Sequence, residues 1–533
     1  MAVRSTETGA FAVCIAVGAG ARLWNLSGQI FGGDEFHAVR AALILPVSSL
    51  YATYQQADPS LPLATYGGLL LAAGLPLSDL ALRVPVLVAG VAAVGLLPLL
   101  ARRWIGHTAA LLFAALLALS PNLVLYSRIA RPYMPIALLA PVAAFLFLAW
   151  WQRQGGLGRL GGYAMAAAAA SYFSPLAGPA AAAPLLYGLG DVVLRRGRGA
   201  SARRGLTELG LAGAALAALV ALFLVPGWES LWEIVSSKQG GGTFRTRGML
   251  SAPRLAAGSE HWPVAVLFWG VAAWGALVLW RRSRSLSLLC ASLVTVHLGF
   301  LAVVQPLGVQ DSVVLNRYLI VLLPILLLAV ACGLGDLIAR LPATGRLAPG
   351  LSVILLTVGW VAAGPLVQFP YRAGSFAHHN AEVVFTIPPS TLRLPEIYER
   401  LDGDGALLEF PWPTEWFFGR AYPVYQRAHR RPVLVATDER VFHDDRLALR
   451  TLVRPEPADL LASRARWLVV HLDLMGEWSP RVGRQRALRL RRSGERLASR
   501  LERLWGPPDH RSMAPGPRIA VWDLDRLRSR AGK

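Results

Sequence analysis

Charge is what this chain of 533 residues has least of: Asp, Glu, Lys and Arg together make up 16% of it, against 54% hydrophobic residues. A soluble protein needs about 25% charged residues to cover its surface, so a wholly soluble architecture is excluded. Cysteine is scarcer still. Cys14, Cys290 and Cys332 lie far apart in apolar segments, which suggests neither a disulfide framework nor a metal knuckle. The apolar runs are themselves nearly empty of ionisable groups, His297 being the main exception. An ion-coupled transporter is expected to carry such groups near mid-membrane, and no inverted repeat is visible to support one.

What is present is arginine and long apolar runs. Lys and Arg number 53 against 32 Asp and Glu, a formal net charge of +21. Much of the excess is Arg in short loops between apolar runs, a signal of membrane topology rather than a nucleic-acid footprint. Apolar runs recur to about residue 368 and then largely stop. The pattern predicts a polytopic α-helical membrane protein followed by a C-terminal soluble α/β domain, with domains over 1–369 and 370–533.

Candidate spans fall at 9–25, 83–101, 107–125, 132–151, 160–174, 176–193, 206–226, 262–280, 286–304, 318–339 and 348–368, about eleven by the ~20-residue criterion. Residues 61–77 are apolar but short, bounded by Pro62 and Pro76. If they lie in the interface, then Arg102-Arg103, Arg153 with Arg159, Arg195 through Arg204, Arg281-Arg282-Arg284 and Arg340 with Arg346 all share the side of Arg4. The positive-inside rule favours that choice. The expected topology has the first run as a retained signal anchor in the cytoplasmic (inner) membrane, with the amino terminus cytoplasmic. Residues 26–82 then form an extracytoplasmic loop with interfacial helices, and the C-terminal domain is extracytoplasmic. The loop 227–261, with Trp228, Trp232, Gly240-Gly241-Gly242, Arg245 and Arg247, reads as a lid or as a merely mobile loop.

That topology leaves Arg128, Arg131 and Arg317 at the outer ends of spans, where orientation assigns them no part. Each alone reads as an Arg snorkelling to headgroups. Together, on the face that carries Asp34-Glu35, they suggest an anion site, because guanidinium pairs with phosphate through a bidentate fork. After residue 370, Ala406–Phe410, 432–435, Trp467–His471 and 518–522 read as buried strands, and 482–505 as an Arg-rich helix.

Four places carry a resemblance: Asp34-Glu35 in the first outer loop; Asp58-Pro59-Ser60-Leu61-Pro62-Leu63; Tyr126-Ser127-Arg128-Ile129-Ala130-Arg131-Pro132-Tyr133; and Arg317-Tyr318-Leu319. In this order and topology they resemble the GT-C glycosyltransferases, specifically the family of protein O-mannosyltransferases and the lipid A aminoarabinose transferase. The resemblance covers roughly the first 370 residues. Ser60 stands where the family has His, and Leu61 replaces a proline. The Trp-Trp-Asp sequence of oligosaccharyltransferases is absent.

The resemblance implies transfer of a sugar, with inversion, from a polyprenyl-phosphate donor to an unknown acceptor, in the lipid bilayer and without nucleic acid. The chemistry asks for a base to take the acceptor proton and for cations at the leaving phosphate. Asp34 is the expected base, although Gly33-Asp34 before Glu35 equally suits a helix N-cap. Glu35, the second residue of the expected catalytic pair, is expected to bind sugar or acceptor or to complement the helix dipole. Arg131, Arg317 and Arg128 are the expected phosphate ligands. Asp58, His37, Tyr133 and Tyr318 are candidate substrate contacts, set against turn-opening for Asp58 and interfacial packing for the others. No cofactor is assigned, and a divalent metal shared by Asp34, Glu35 and His37 is left open. His378, His379 and Glu382 resemble a ligand cluster or a solvated linker. A non-catalytic lipid-carrier flippase and an oligosaccharide ligase are the alternative functions.

Overall fold

A computed structural model describes residues 2–24, 26, 35–54, 61–75, 77–152, 156–195, 200–238, 246–259, 261–310, 312–340, 396–410, 433–434, 456–472, 484–512 and 518–531. The chain divides into two compact units, one of residues 1–29 and 34–386, the other of 30–33 and 387–533. The proposed span 348–368 and the His378, His379, Glu382 group lie outside the described residues.

The first unit is a helical bundle. Among the described residues, seven helices are long and apolar enough to cross a membrane, and Gly9–Leu23, Leu61–Ala72 and His107–Leu119 are shorter apolar helices. This is a multi-pass membrane protein. Prolines mark the helix ends of two of the expected spans. The helix His107–Leu119 ends at Ser120, where Pro121 opens a separate short helix, Pro121–Tyr126. Leu157–Phe173 stops at Ser174, ahead of Pro175.

Local chemistry sets these boundaries. The helix Asp79–Ile105 begins where the Ser78 hydroxyl accepts from the Ala81 amide, an N-cap that satisfies one of the orphan donors. It ends with Arg102 and Arg103 in its last turn, followed by Gly106 at φ 81°. There the positive φ favours glycine and the cations oppose the negative end of the helix dipole. Helix packing depends on small residues. A Cβ on Gly275 would stand 1.7 Å from the Ala329 carbonyl oxygen, and one on Gly333 would stand 2.5 Å from the Val271 carbonyl. The helices Trp262–Arg282 and Leu323–Ala339 therefore touch backbone to backbone, as small residues permit in a lipid solvent.

The second unit is built on a five-stranded sheet: β1 Leu407–Phe410, β2 Val433–Leu434, β3 Trp467–His471, β4 His510–Ser512 and β5 Ile519–Asp523, in the order β2-β1-β3-β5-β4. β1 lies parallel to β2 and β3, whereas β3–β5 and β4–β5 are antiparallel. The helix Arg484–Trp505 places Leu497, Ala498 and Leu501 in a core with Leu468, Val470 and Trp522. Gly494 allows it close to the sheet, since a Cβ there would lie 2.5 Å from the His471 carbonyl oxygen. Its arginines form ion pairs such as Arg500–Glu456, and Arg518 and Arg511 pair with its own Glu495 and Glu502.

Candidate functional site

The segment Ser127–Tyr133 connects two helices of the bundle, and buried arginines hold it from behind. Arg22, fully buried, donates from Nε to the Ser127 hydroxyl (3.0 Å) and from its Nη atoms to the carbonyls of Gly18, Ala118 and Leu117. A side chain at Gly90 would be 2.1 Å from the Ser127 Oγ and 2.8 Å from Arg22 Nε, so the crossing requires glycine. Ser127 in turn donates to the Leu123 carbonyl.

One turn further on, Glu35 forms a buried pair with Arg83. Arg83 Nε donates to Oε1 (2.9 Å) and Nη2 to Oε2 (2.8 Å), and the Ala130 amide donates to Oε1 at 2.6 Å. Two charge-assisted bonds in fork geometry and a backbone bond thus engage both carboxylate oxygens. The Glu35 side chain makes no capping bond to the helix Phe36–Ile44 that follows it. Oε1 thus ties Glu35 to the 127–133 segment through the Ala130 amide, and Oε2 meets Arg83.

Arg128 is buried beside this pair, its Nη1 donating to the Ala21 carbonyl at 3.5 Å. Burial, and then the nearby Arg83 charge, pulls its guanidinium down to about 10, which leaves it cationic at neutral pH. Among the described residues, those lining the adjacent cavity include Arg131 and Arg317 and not Arg128. The difference is one of direction: Arg128 points back to the first helix.

The cavity has a volume of about 190 Å³ and is lined by His37, Arg131, Tyr133, Ser174, His297, Arg317 and Tyr318 together with apolar side chains. Arg131 and Arg317 both approach one ring, their Cζ atoms 5.8 and 5.9 Å from the centre of Tyr133. A guanidinium within about 6 Å of an aromatic face is held by the ring quadrupole. The ring of Tyr133 is itself tilted against Tyr126, with centres 4.9 Å apart. Arg317 comes from the helix Ser312–Leu319, whose Asn316 donates to the Asn122 side chain at 3.1 Å, while Asn122 donates to the Leu255 carbonyl. Tyr318 donates its hydroxyl to Leu307 and accepts at its carbonyl from His297.

Of the residues singled out in the sequence, the fold thus brings His37, Arg131, Tyr133, Arg317 and Tyr318 to one cavity. Asp34 and Asp58 lie outside the described residues. Among the described residues no three His, Cys, Asp or Glu side chains gather as a metal site, and Glu35 is engaged by Arg83 and the Ala130 amide. Arg22 and Arg83 were the structural arginines that sequence reasoning missed. Their signal was a guanidinium within or at the edge of an apolar run, which lipid does not tolerate without partners.

No protein-family model and no curated protein matches this chain. Solved structures do. ArnT from Cupriavidus metallidurans in the apo state superposes with a TM-score of 0.52 and 14% identity, over 90% of this chain and 96% of that one. The same protein bound to undecaprenyl phosphate gives 0.48 and 15%, over 89% and 95%. The oligosaccharyltransferase of Archaeoglobus fulgidus, in complex with Zn and sulfate, gives 0.44 and 11%, over 88% and 69%. The chain has a GT-C-like fold.

Proposed function

We propose, from the premise of a GT-C-like fold, that this protein is an inverting glycosyltransferase. It moves a sugar from a polyprenyl-phosphate donor to an acceptor at the outer face of the cytoplasmic membrane. The observation that carries the reading is the convergence of Arg131 and Arg317 on one cavity of an apolar bundle. Two cations drawn from segments so distant in sequence have a purpose where an anion forms. In glycosyl transfer the bond from the anomeric carbon to the phosphate oxygen breaks, and its electron pair stays on the phosphate. Preorganised guanidinium groups stabilise that developing charge in the transition state more than in the ground state.

The new bond joins the anomeric carbon to an acceptor oxygen or nitrogen, whose proton passes to a base. Asp34 takes that part. Its chain neighbours support the choice: Glu35 is bonded to the Ala130 amide, one residue from Arg131, and His37 lines the cavity. Glu35 acts as an anchor for the 127–133 segment rather than as an acid or base, since Arg83 already engages both its oxygens. The cavity is smaller than the ~300–1,000 Å³ of whole-ligand pockets. Its size suits a phosphate head group, with the prenyl chain lying along apolar helix faces such as that of Ser201–Ser236, which is largely exposed.

Asp34→Asn is expected to abolish sugar transfer in vitro while leaving the protein folded and donor-binding; turnover at the wild-type rate would remove Asp34 from the chemistry. Arg317→Ala is expected to weaken polyprenyl-phosphate binding, and a change in acceptor affinity alone would refute the phosphate assignment. Reporter fusions after Ser60, Ala200 and Arg400 should read outside, inside and outside; the reverse sense at Ala200 or Arg400 would undo the orientation.

A further inference from the structure

His297 is buried at 1% exposure, in the apolar helix Arg284–Val304, and lines the same cavity as Arg131 and Arg317. Its Nε2 lies 2.8 Å from the Tyr318 carbonyl oxygen. A carbonyl oxygen only accepts, so the ring proton sits on Nε2, and Nδ1 of the neutral ring carries a lone pair. Among the described residues, Nδ1 is buried and has no hydrogen-bond partner. A buried polar atom of this kind is rare enough to call for a reason.

The cavity's chemistry supplies one. The two guanidinium groups can only donate, and a phosphodiester offers them only acceptor oxygens. Such a head group satisfies Arg131 and Arg317 and sets its lone pairs against that of Nδ1. A ligand that also carries an O–H group beside its phosphate satisfies both kinds of partner.

We propose that His297 is a specificity-determining residue whose Nδ1 accepts a hydrogen bond from an O–H group adjacent to the phosphate of the prenyl-linked ligand. The proposal rests on the donor-phosphate reading of the cavity. The O–H has two possible sources. One is a hydroxyl of the sugar on the donor phosphodiester, and the other is the P–OH of the monophosphate left after transfer.

Two substitutions separate this role from a structural one. His297→Gln carries an amide N–H to the position of Nε2, keeping the bond to the Tyr318 carbonyl while removing the acceptor at Nδ1. His297→Asn does the reverse. Binding to the full chain in lipid nanodiscs is measured for three probes: a polyprenyl monophosphate, a polyprenyl glucosyl phosphate and a polyprenyl methyl phosphate, the last with no O–H. His297→Gln is expected to lose about tenfold in affinity, equivalent to ~1.4 kcal/mol, for at least one O–H-bearing probe and nothing for the methyl diester. His297→Asn is expected to keep the wild-type preference. Loss confined to the glucosyl phosphate assigns the sugar hydroxyl, and loss confined to the monophosphate assigns the P–OH.

If His297→Gln changes all three affinities alike or none, or if only His297→Asn is impaired, His297 merely pins the Tyr318 carbonyl and the proposal falls. Failure of the wild type to bind any probe, or indifference of all three to Arg317→Ala, removes the donor-phosphate reading instead and this proposal with it.

Discussion

Glu35→Gln isolates the buried pair that holds the 127–133 segment. The side chains of Arg83 and Glu35 are 0% and 1% exposed and meet at 2.9 and 2.8 Å. Glutamine preserves an acceptor for the Ala130 amide and for Arg83 Nε, so the backbone bond is kept, while the charge and the acceptor facing Arg83 Nη2 are lost. Arg83 then keeps its buried charge and loses the Glu35 carboxylate that faced it, and Arg128 stands close enough to feel it. Breaking one side of such a pair costs about 3–5 kcal/mol, whereas replacing both sides with uncharged groups of similar volume is near neutral. Thermal unfolding of purified protein in detergent, with Glu35→Gln, Arg83→Met and the double variant, completes the cycle. The single variants should melt well below the wild type, and the double variant should recover most of the loss as a positive coupling. Two results would refute the reasoning. A Glu35→Gln protein within ~0.5 kcal/mol of wild type, the range of ordinary surface changes, would mean the pair does not anchor. A stable Glu35→Gln protein with no turnover would return Glu35 to the chemistry.

Two further tests concern the scaffold. Gly275→Val should destabilise the bundle by about 1–3 kcal/mol or more, because its Cβ would meet the Ala329 carbonyl oxygen at 1.7 Å. Gly270→Val on the same helix, where a Cβ meets nothing within 4 Å, is the control, and equal melting of the two would disprove the close crossing. In the second unit, Tyr398 donates to Glu409 at 3.0 Å and its hydroxyl lies 3.2 Å from His471 Nε2. Burial pushes the Glu409 carboxyl above the ordinary carboxylate range. A raised folded-state value means that the native state binds more protons than the unfolded state. The contribution to stability is therefore full below ~4.3, the unfolded value, and is lost as pH rises through the folded value. Amide exchange in Leu407–Phe410 of the full chain should speed up with pH beyond its intrinsic dependence, and Glu409→Gln should flatten that excess; an unchanged profile would exclude the linkage.

The apolar helices were legible because lipid imposes a single rule, that backbone polar groups be satisfied within the segment, and long apolar runs announce it. The second unit's strands were legible for a related reason. Leu407–Phe410 and Trp467–His471 are buried throughout, and they read as short, mostly apolar runs interrupted by Glu409 and closed by His471. The edge strand His510–Ser512 passed unnoticed because its half-exposed side chains carry no apolar pattern. Helix ends were harder to place. Pro121 divides the run 107–125, which hydropathy alone joins into one span.

At the cavity, Arg131 and Arg317 stood out as cations at span ends, and their meeting over Tyr133 needed only that both ends lie on one face. Arg128 carries the same signal and a different fate, its guanidinium turned to Ala21. Composition and residue order thus sufficed for a multi-pass helical bundle and singled out a short set of ionisable groups at helix ends, since periodicity and charge are local properties of a chain. Which of those groups face a ligand and which face each other was decided by packing. Arg128 and Arg131, neighbours in one sequence motif, diverge: Arg131 lines the cavity, and Arg128 donates to the Ala21 carbonyl, 107 positions away in the chain.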